Sequence, residues 1–461
     1  MTATDTTKTA PGSEPKTTNR WLIAIMGTLL QLFLGTAYAW SYFQKPLGDA
    51  FGWSNSMTAW AFCLAICFLG LAAAWGGMNL AKIGPTKLAM VGGTLFGIGY
   101  LLGALALSMK SPLMLFLGYG VVGGCGLGLG YVTPVATVAK WFPDKKGFAT
   151  GLVVMGFGLG ALVMSKVFAP MLFNYFKTGV ELVYANVDGA LVLQNPEALQ
   201  GILTKLFAGL GVIFLVLTVP VGWFLKNPPA GYVPAGWTPP VVAANAKTAA
   251  FDALTAKDCL LSGRFFLMWI VFFCNITAGI AIIGFQSPLF QDLWHKVDPT
   301  LTAAALASMG ATLIGVTSLF NGIGRFFWGG ISDKIGRSRT FSIMLGTQIV
   351  VFAVLAWNKS PWLFAALFCY ILLCYGGGFG TMPSFVLDVF GAKLMPVVYG
   401  TILTAWSAAG VVGPQMVGII KDRWPTQAGY YSFLAGLAFV SVGFLITFAL
   451  SNLPFEKKAS A

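Results

Sequence analysis

The chain has 461 residues, 57% of them hydrophobic and 9% charged, with a mean hydropathy of +0.78. That balance excludes a soluble globular protein and points to an all-α membrane protein of many spans. The formal net charge of +13 calls for no nucleic-acid partner, because basic connections are attracted to an anionic lipid leaflet.

Residues 1–19 are polar and lack the apolar core of a cleavable signal, so they are expected to form a disordered cytoplasmic tail with the first span retained. Apolar runs long enough to cross a bilayer then follow near 21–44, 57–78, 87–109, 112–139, 147–173 and 206–226. The connection near 174–205 is long and polar and shows no chemistry. A Pro-, Ala- and Gly-rich stretch, 227–262, is expected to be a cytoplasmic linker. Six more runs lie near 264–290, 303–329, 340–357, 361–388, 397–420 and 430–452, before a short tail, 453–461.

Twelve spans put both termini on one side. With that side inside, the inner segments and inner span ends, Arg325 included, hold 19 of the 28 Lys and Arg residues, so the termini are expected in the cytoplasm and the protein in a cell inner membrane. The expected halves are 20–226 and 263–452, and an internal repeat supports them. Phe43-Gln44-Lys45-Pro46-Leu47 recurs as Phe285-Gln286-Ser287-Pro288-Leu289, and the stretch Gly77 to Gly84 is echoed by Gly329 to Gly336. Two facing helical units leave a cavity near the bilayer midplane, where such proteins hold a ligand.

Other signals are weaker. Cys63, Cys67, Cys125, Cys274, Cys369 and Cys374 sit in apolar segments and Cys259 in a polar connection, a pattern of packing residues and not of ligands or disulfides. The one histidine, His295, has no Cys or carboxylate cluster around it, so no metal or other cofactor is expected, nor a membrane enzyme. The strings Gly124 to Gly130 and Gly156 to Gly160 superficially resemble nucleotide loops, yet no strand precedes them, and close helix packing explains them better.

Arg325 is the residue that composition cannot explain. It lies in an apolar, glycine-rich run, where an embedded arginine costs on the order of 3 kcal/mol at a helix centre and normally faces protein or water. One reading has it snorkel to the surface or pair with Asp333 or Asp388. The other makes it a ligand-binding group, since Thr317, Asn321 and Arg325 at i, i+4 and i+8 form a polar stripe able to line a path. Tyr38, Tyr42, Tyr131, Tyr375, Phe379 and Trp406 have packing or an interfacial belt as their bland reading, which is preferred for Tyr42. Lys45 and Lys166 are expected as snorkelling anchors near the outer mouth.

The stretch from Gly329 through Asp333, Gly336 and Arg337 to Arg339 resembles the G-x-x-x-D-[RK]-x-G-[RK] signature of the major facilitator superfamily; the earlier copy departs from it, with Ala81 where the acid belongs. This resemblance implies twelve helices in two pseudosymmetric six-helix halves, working as a monomer. Tyr38-Ala39-Trp40, Tyr131 to Pro134, Lys140 to Gly147, Asn321 to Arg325, Tyr375 to Phe379 and Thr404-Ala405-Trp406 are similar to the oxalate/formate antiporter family, cousins of the monocarboxylate transporters. Resemblance implies that Arg325 binds a substrate carboxylate, a role its planar fork of donors suits. It also implies that Tyr38, Tyr131, Tyr375 and Trp406 wall the cavity.

Oxalate-carrying relatives have a lysine in span 11 as a second cation, at the position of Trp406. One cation matches one carboxylate, so a small monocarboxylate anion of the lactate, pyruvate or formate class is expected over a dicarboxylate. No Asp or Glu sits in the middle of a span, and Asn321 stands where monocarboxylate transporters carry an aspartate. Anion exchange and cotransport of protons both stay open. An oxalate-type exchanger and a non-transporting carboxylate sensor on the same fold are the alternatives.

Overall fold

The computed structural model of the protein describes residues 19–187, 190–238 and 254–452. Most of the expected N-terminal tail, the C-terminal tail, and 239–253 of the expected linker lie outside the described residues. Among the described residues, twelve helices are long and apolar enough to cross a membrane: span 1 Arg20–Ala39, span 2 Asn55–Ile83, span 3 Pro85–Ser108, span 4 Pro112–Trp141, span 5 Gly147–Lys177, span 6 Pro196–Trp223, span 7 Gly263–Val297, span 8 Ala303–Ile335, span 9 Arg337–Trp357, span 10 Pro361–Gly391, span 11 Lys393–Arg423 and span 12 Pro425–Leu450.

Helix starts follow local chemistry. Ser54, Ser111, Ser262, Thr302 and Ser360 each accept a backbone N–H of the first turn, and Pro85, Pro112, Pro196 and Pro361 open helices where their missing N–H costs nothing. Several helices outrun their apolar cores. Span 6 begins at Pro196, well before the apolar run at 206, and span 8 continues to Ile335, past 329. Hydropathy marks the bilayer slab, whereas capping and packing decide where the helix stops.

Span 1 departs from a single helix. It is α-helical over Arg20–Leu34, winds as a 3-10 segment over Gly35–Ala39 and resumes as a helix over Ser41–Phe51. Spans 4 and 5 carry π-helical stretches, Phe116–Gly123 and Met164–Phe168. The polar connection after span 5 contains what its sequence did not announce, an antiparallel two-stranded hairpin of Tyr184–Val187 and Ala190–Leu193.

Packing repeats between the first six spans and the last six. Span 3 lies along span 6 as span 9 lies along span 12, span 2 along span 4 as span 8 along span 10, and span 1 along span 5 as span 7 along span 11. Two further seams join the sets, span 2 with span 11 and span 5 with span 8, which are themselves a matched pair. The sequence echo has a backbone counterpart. Gly84 ends span 2 at φ +87°, ψ 153°, and Gly336 ends span 8 at φ +92°, ψ 149°, a conformation that L side chains rarely adopt. With twelve spans among the described residues, the start of span 1 and the end of span 12 lie on one face, called here the terminal face; the other is the distal face.

Cys259 is buried at the short helix Ala256–Leu260, so its place in a polar connection does not make it exposed. All seven cysteines are free thiols.

Candidate functional site

Span 8 reaches the centre of the molecule because spans 8 and 10 meet almost backbone to backbone. A side chain at Gly376 would run into the Asn321 carbonyl, one at Gly380 into the Arg325 carbonyl, and one at Gly324 into that of Leu373. Gly376 and Gly380, one turn apart on span 10, and Gly324 on span 8 hold Asn321 and Arg325 deep in the fold. Both residues are 2% exposed.

None of the three guanidinium nitrogens of Arg325 has a hydrogen-bond partner among the described residues. The carboxylates that sequence offered as partners are engaged elsewhere: Arg337 reaches Asp333 at 2.6 Å and Asp388 at 3.1 Å, and also bonds Ser332. Pairing of Arg325 with either acid, and snorkelling, are therefore both set aside. What surrounds the cation is aromatic. Its Cζ lies 5.0 Å from the Phe379 ring centroid and 5.9 Å from that of Phe157, distances at which a ring face attracts a cation by about 0.5–2 kcal/mol.

The rings singled out from sequence converge here. Trp406 packs edge-on against Phe379 at 4.7 Å, Tyr131 at 5.2 Å, Phe157 at 5.8 Å and Tyr38 at 6.2 Å. Tyr38 and Tyr375 share a hydrogen bond between their hydroxyls, 2.6 Å, which links span 1 to span 10. The 3-10 winding at Gly35–Ala39 lets span 1 touch span 5 at Gly35 and Gly160, and it delivers Tyr38 against Phe157 at 5.0 Å. Tyr42, by contrast, is partly buried against Phe43, outside this cluster.

Phe157 is a member of this cluster that sequence reading missed. Its signal was present in the string Gly156-Phe157-Gly158. Gly156 docks on span 1 at Thr28 and Gly158 on span 8 at Gly322, as close packing predicts, and the phenylalanine between them is thereby turned towards Arg325. Tyr399 was missed as well. It stands two turns before Trp406 on span 11, buried, with no partner for its hydroxyl. The third member of the polar stripe, Thr317, is not free to meet a ligand, because its hydroxyl donates to Gln286 Oε1 at 2.7 Å between spans 8 and 7.

Around Arg325 the unpartnered buried groups are the Tyr131 and Tyr399 hydroxyls, the Trp406 indole N–H and Asn321 Oδ1. Buried polar groups normally have partners, and orphans cost about 1–3 kcal/mol each. The three orphaned donors among them, beside an unpaired guanidinium, are complementary to a small anion rich in acceptors, whereas Asn321 Oδ1 can only accept.

Gly329, Asp333, Gly336 and Arg337 lie away from the cluster, at the terminal face. Their network with Asp388 ties the turn between spans 8 and 9 to the end of span 10. On the same face Arg20 pairs with Asp144 at 2.7 Å. Slight desolvation raises the Asp144 carboxyl, and the Arg20 hydrogen bond and charge outweigh it, holding the group below the usual carboxylate range. Lys166 donates to Thr312 across the seam between spans 5 and 8, 2.6 Å, so it is a bridging residue as well as a basic one near the distal face.

The profile of the Major Facilitator Superfamily matches residues 22–414. The chain is 25% identical over 433 residues to the oxalate:formate antiporter of Oxalobacter formigenes, covering 93% of this chain and 92% of the relative. It is 27% identical over 387 residues to apicoplast pyruvate carrier 1 of Toxoplasma gondii, covering 77% and 68%. A crystal structure of a D-xylose-proton symporter superposes with a TM-score of 0.69 at 14% identity, covering 95% of this chain and 98% of the other, which establishes the shared fold. The chain belongs to the Major Facilitator Superfamily.

Proposed function

We propose that this superfamily member is a secondary transporter of small monocarboxylates of the lactate, pyruvate or formate class, moved by alternating access around Arg325. The observation that carries the proposal is a permanent cation, buried and ringed by aromatic side chains, that no carboxylate among the described residues answers. A carboxylate accepting two bonds from the fork would supply the missing charge. Tyr131, Tyr399 and Trp406 have unused hydrogen-bond donors for the remaining oxygens. Phe157, Phe379, Tyr38 and Tyr375 would restrict the space to a small cargo. The relatives' names, an oxalate:formate antiporter and a pyruvate carrier, agree with a carboxylate cargo.

One carboxylate, and not two, is favoured because Trp406 occupies the wall where a second cation would be needed. Spans 1–6 (within 20–226) and 7–12 (within 263–452) would act as the two moving halves, in a cell inner membrane with both termini cytoplasmic, an orientation that the distribution of Lys and Arg supports. An empty site leaves Arg325 uncompensated in low dielectric, which penalises reorientation of the unloaded protein. Anion exchange is thus favoured over uncoupled movement, and a proton travelling with the cargo would serve equally.

The test is uptake of labelled carboxylates into proteoliposomes, with and without a pH gradient. Lactate, pyruvate or formate should compete with one another in saturable exchange. Strong saturable oxalate exchange, untouched by any monocarboxylate, would refute the substrate class.

A further inference from the structure

The N-terminus of span 2 lacks part of its hydrogen bonding in its own surroundings. Met57 N–H donates to the Ser54 hydroxyl and Thr58 N–H to the Ser54 carbonyl, which leaves the N–H groups of Asn55 and Ser56. Both are taken by Asp422, which lies 367 and 366 residues away at the end of span 11: Asn55 N donates to Oδ1 at 2.8 Å and Ser56 N to Oδ2 at 2.9 Å. The Asn55 amide adds a third bond to Oδ1 at 3.0 Å. An anion at this position also meets the positive end of the span 2 dipole.

The neighbours fix the carboxylate in place. Lys421 pairs with Asp292 of span 7, Gln415 donates to the Ser56 carbonyl at 3.0 Å, and Gln44 donates to the Asn55 carbonyl at 2.8 Å. Gly418 lets Ser56 approach so closely that a Cβ there would lie 2.9 Å from Ser56 Cα. All of this is at the distal face, on the seam between the first six spans and the last six. The signature network around Arg337 is at the other face and lies wholly within spans 8 to 10.

We propose that Asp422 is the latch of the distal mouth: it caps a helix of the opposite half, so that parting spans 2 and 11 must strip two backbone donors and a helix dipole of their anion. Opening then exchanges an oriented carboxylate for water, and the cost weights the protein towards the state closed at this face. The latch is independent of which cargo the central site takes.

The test is thiol accessibility in the full-length protein reconstituted in liposomes. Ser41→Cys, one turn beyond Tyr38 towards the distal face and buried in this state, reports distal opening. Tyr399→Cys, two turns from Trp406 towards the terminal face, reports opening on the other side. Each is combined with Asp422→Ala and with the near-isosteric Asp422→Asn, and labelling at the reporter is quantified by peptide mass spectrometry, which separates it from the native cysteines. Loss of a helix cap corresponds to a shift of roughly 2- to 30-fold in an equilibrium. The latch predicts that Asp422→Ala speeds labelling at position 41 by that order and slows it at 399, with Asp422→Asn between. Unchanged labelling at position 41 overturns the proposal. Faster labelling at both positions also overturns it, since that is a loosened fold and not a shifted balance.

Discussion

Arg325→Met separates a binding arginine from a structural one. The substitution keeps an unbranched stem of similar reach and removes the charge. If Arg325 were half of a buried ion pair, its removal would strand the partner and cost 3–5 kcal/mol, the range roughly seen when such pairs are broken. The geometry gives the opposite expectation. The cation has no acceptor among the described residues and only two ring faces, at 5.0 and 5.9 Å. Together those faces return about 1–4 kcal/mol against a burial penalty of several kcal/mol.

The empty Met variant should therefore unfold at the wild-type temperature or a few degrees above it. A cognate carboxylate at a hundred times its dissociation constant should stabilise the wild type by about 2.7 kcal/mol and leave the variant unmoved. Thermal unfolding in detergent, followed by tryptophan fluorescence with and without lactate, pyruvate and formate, reads both effects. A large drop in the stability of the empty variant would refute the reasoning, since it would reveal a protein group that answers Arg325.

Other expectations follow from single contacts. Trp406→Lys puts a second cation beside Arg325 and should gain oxalate exchange while losing monocarboxylate exchange, measured as the ratio of the two initial rates. Gly380→Val drives a branched side chain into the Arg325 carbonyl; overpacking of this kind costs roughly 1–3 kcal/mol, and transport should fall with thermal stability. Tyr38→Phe removes the 2.6 Å hydroxyl contact between spans 1 and 10, worth about 0.5–1.5 kcal/mol, so exchange should speed up or slow down by no more than about tenfold with the protein fully folded. Gly336→Ala forces a side chain into φ +92°, ψ 149°, at a cost of about 1–3 kcal/mol seen in the melt, with saturable exchange retained.

The architecture was legible because bilayer thickness converts composition into element length, and all twelve apolar runs are helices. Their ends were less so. The first ten residues of span 6 and the last six of span 8 are amphipathic extensions beyond the apolar slab, held by capping and packing that a hydropathy count does not see. The 3-10 winding at Gly35–Ala39 depends on backbone contact with span 5, at Gly160, and so has no local signature.

At the site, Arg325 stood out because a charge in an apolar run has no bland explanation until a partner is found. Tyr38, Tyr131, Tyr375 and Trp406 were legible through family resemblance, and their convergence with Phe379 is a tertiary fact. Phe157 escaped because a phenylalanine in a membrane span is unremarkable by itself; only the flanking glycines, each committed to a different neighbour, aim it inward. Thr317 misled for the converse reason, since spacing shows that a hydroxyl shares a stripe and not that Gln286 already holds it.

The most direct test of the central claim is counterflow of a labelled monocarboxylate in proteoliposomes containing wild type, Arg325→Lys or Arg325→Ala. Loss of one or two charge-assisted bonds of roughly 1.5–3 kcal/mol each predicts at least a tenfold weaker half-saturation for the lysine variant and no saturable counterflow for alanine. Wild-type counterflow by Arg325→Ala would contradict the account.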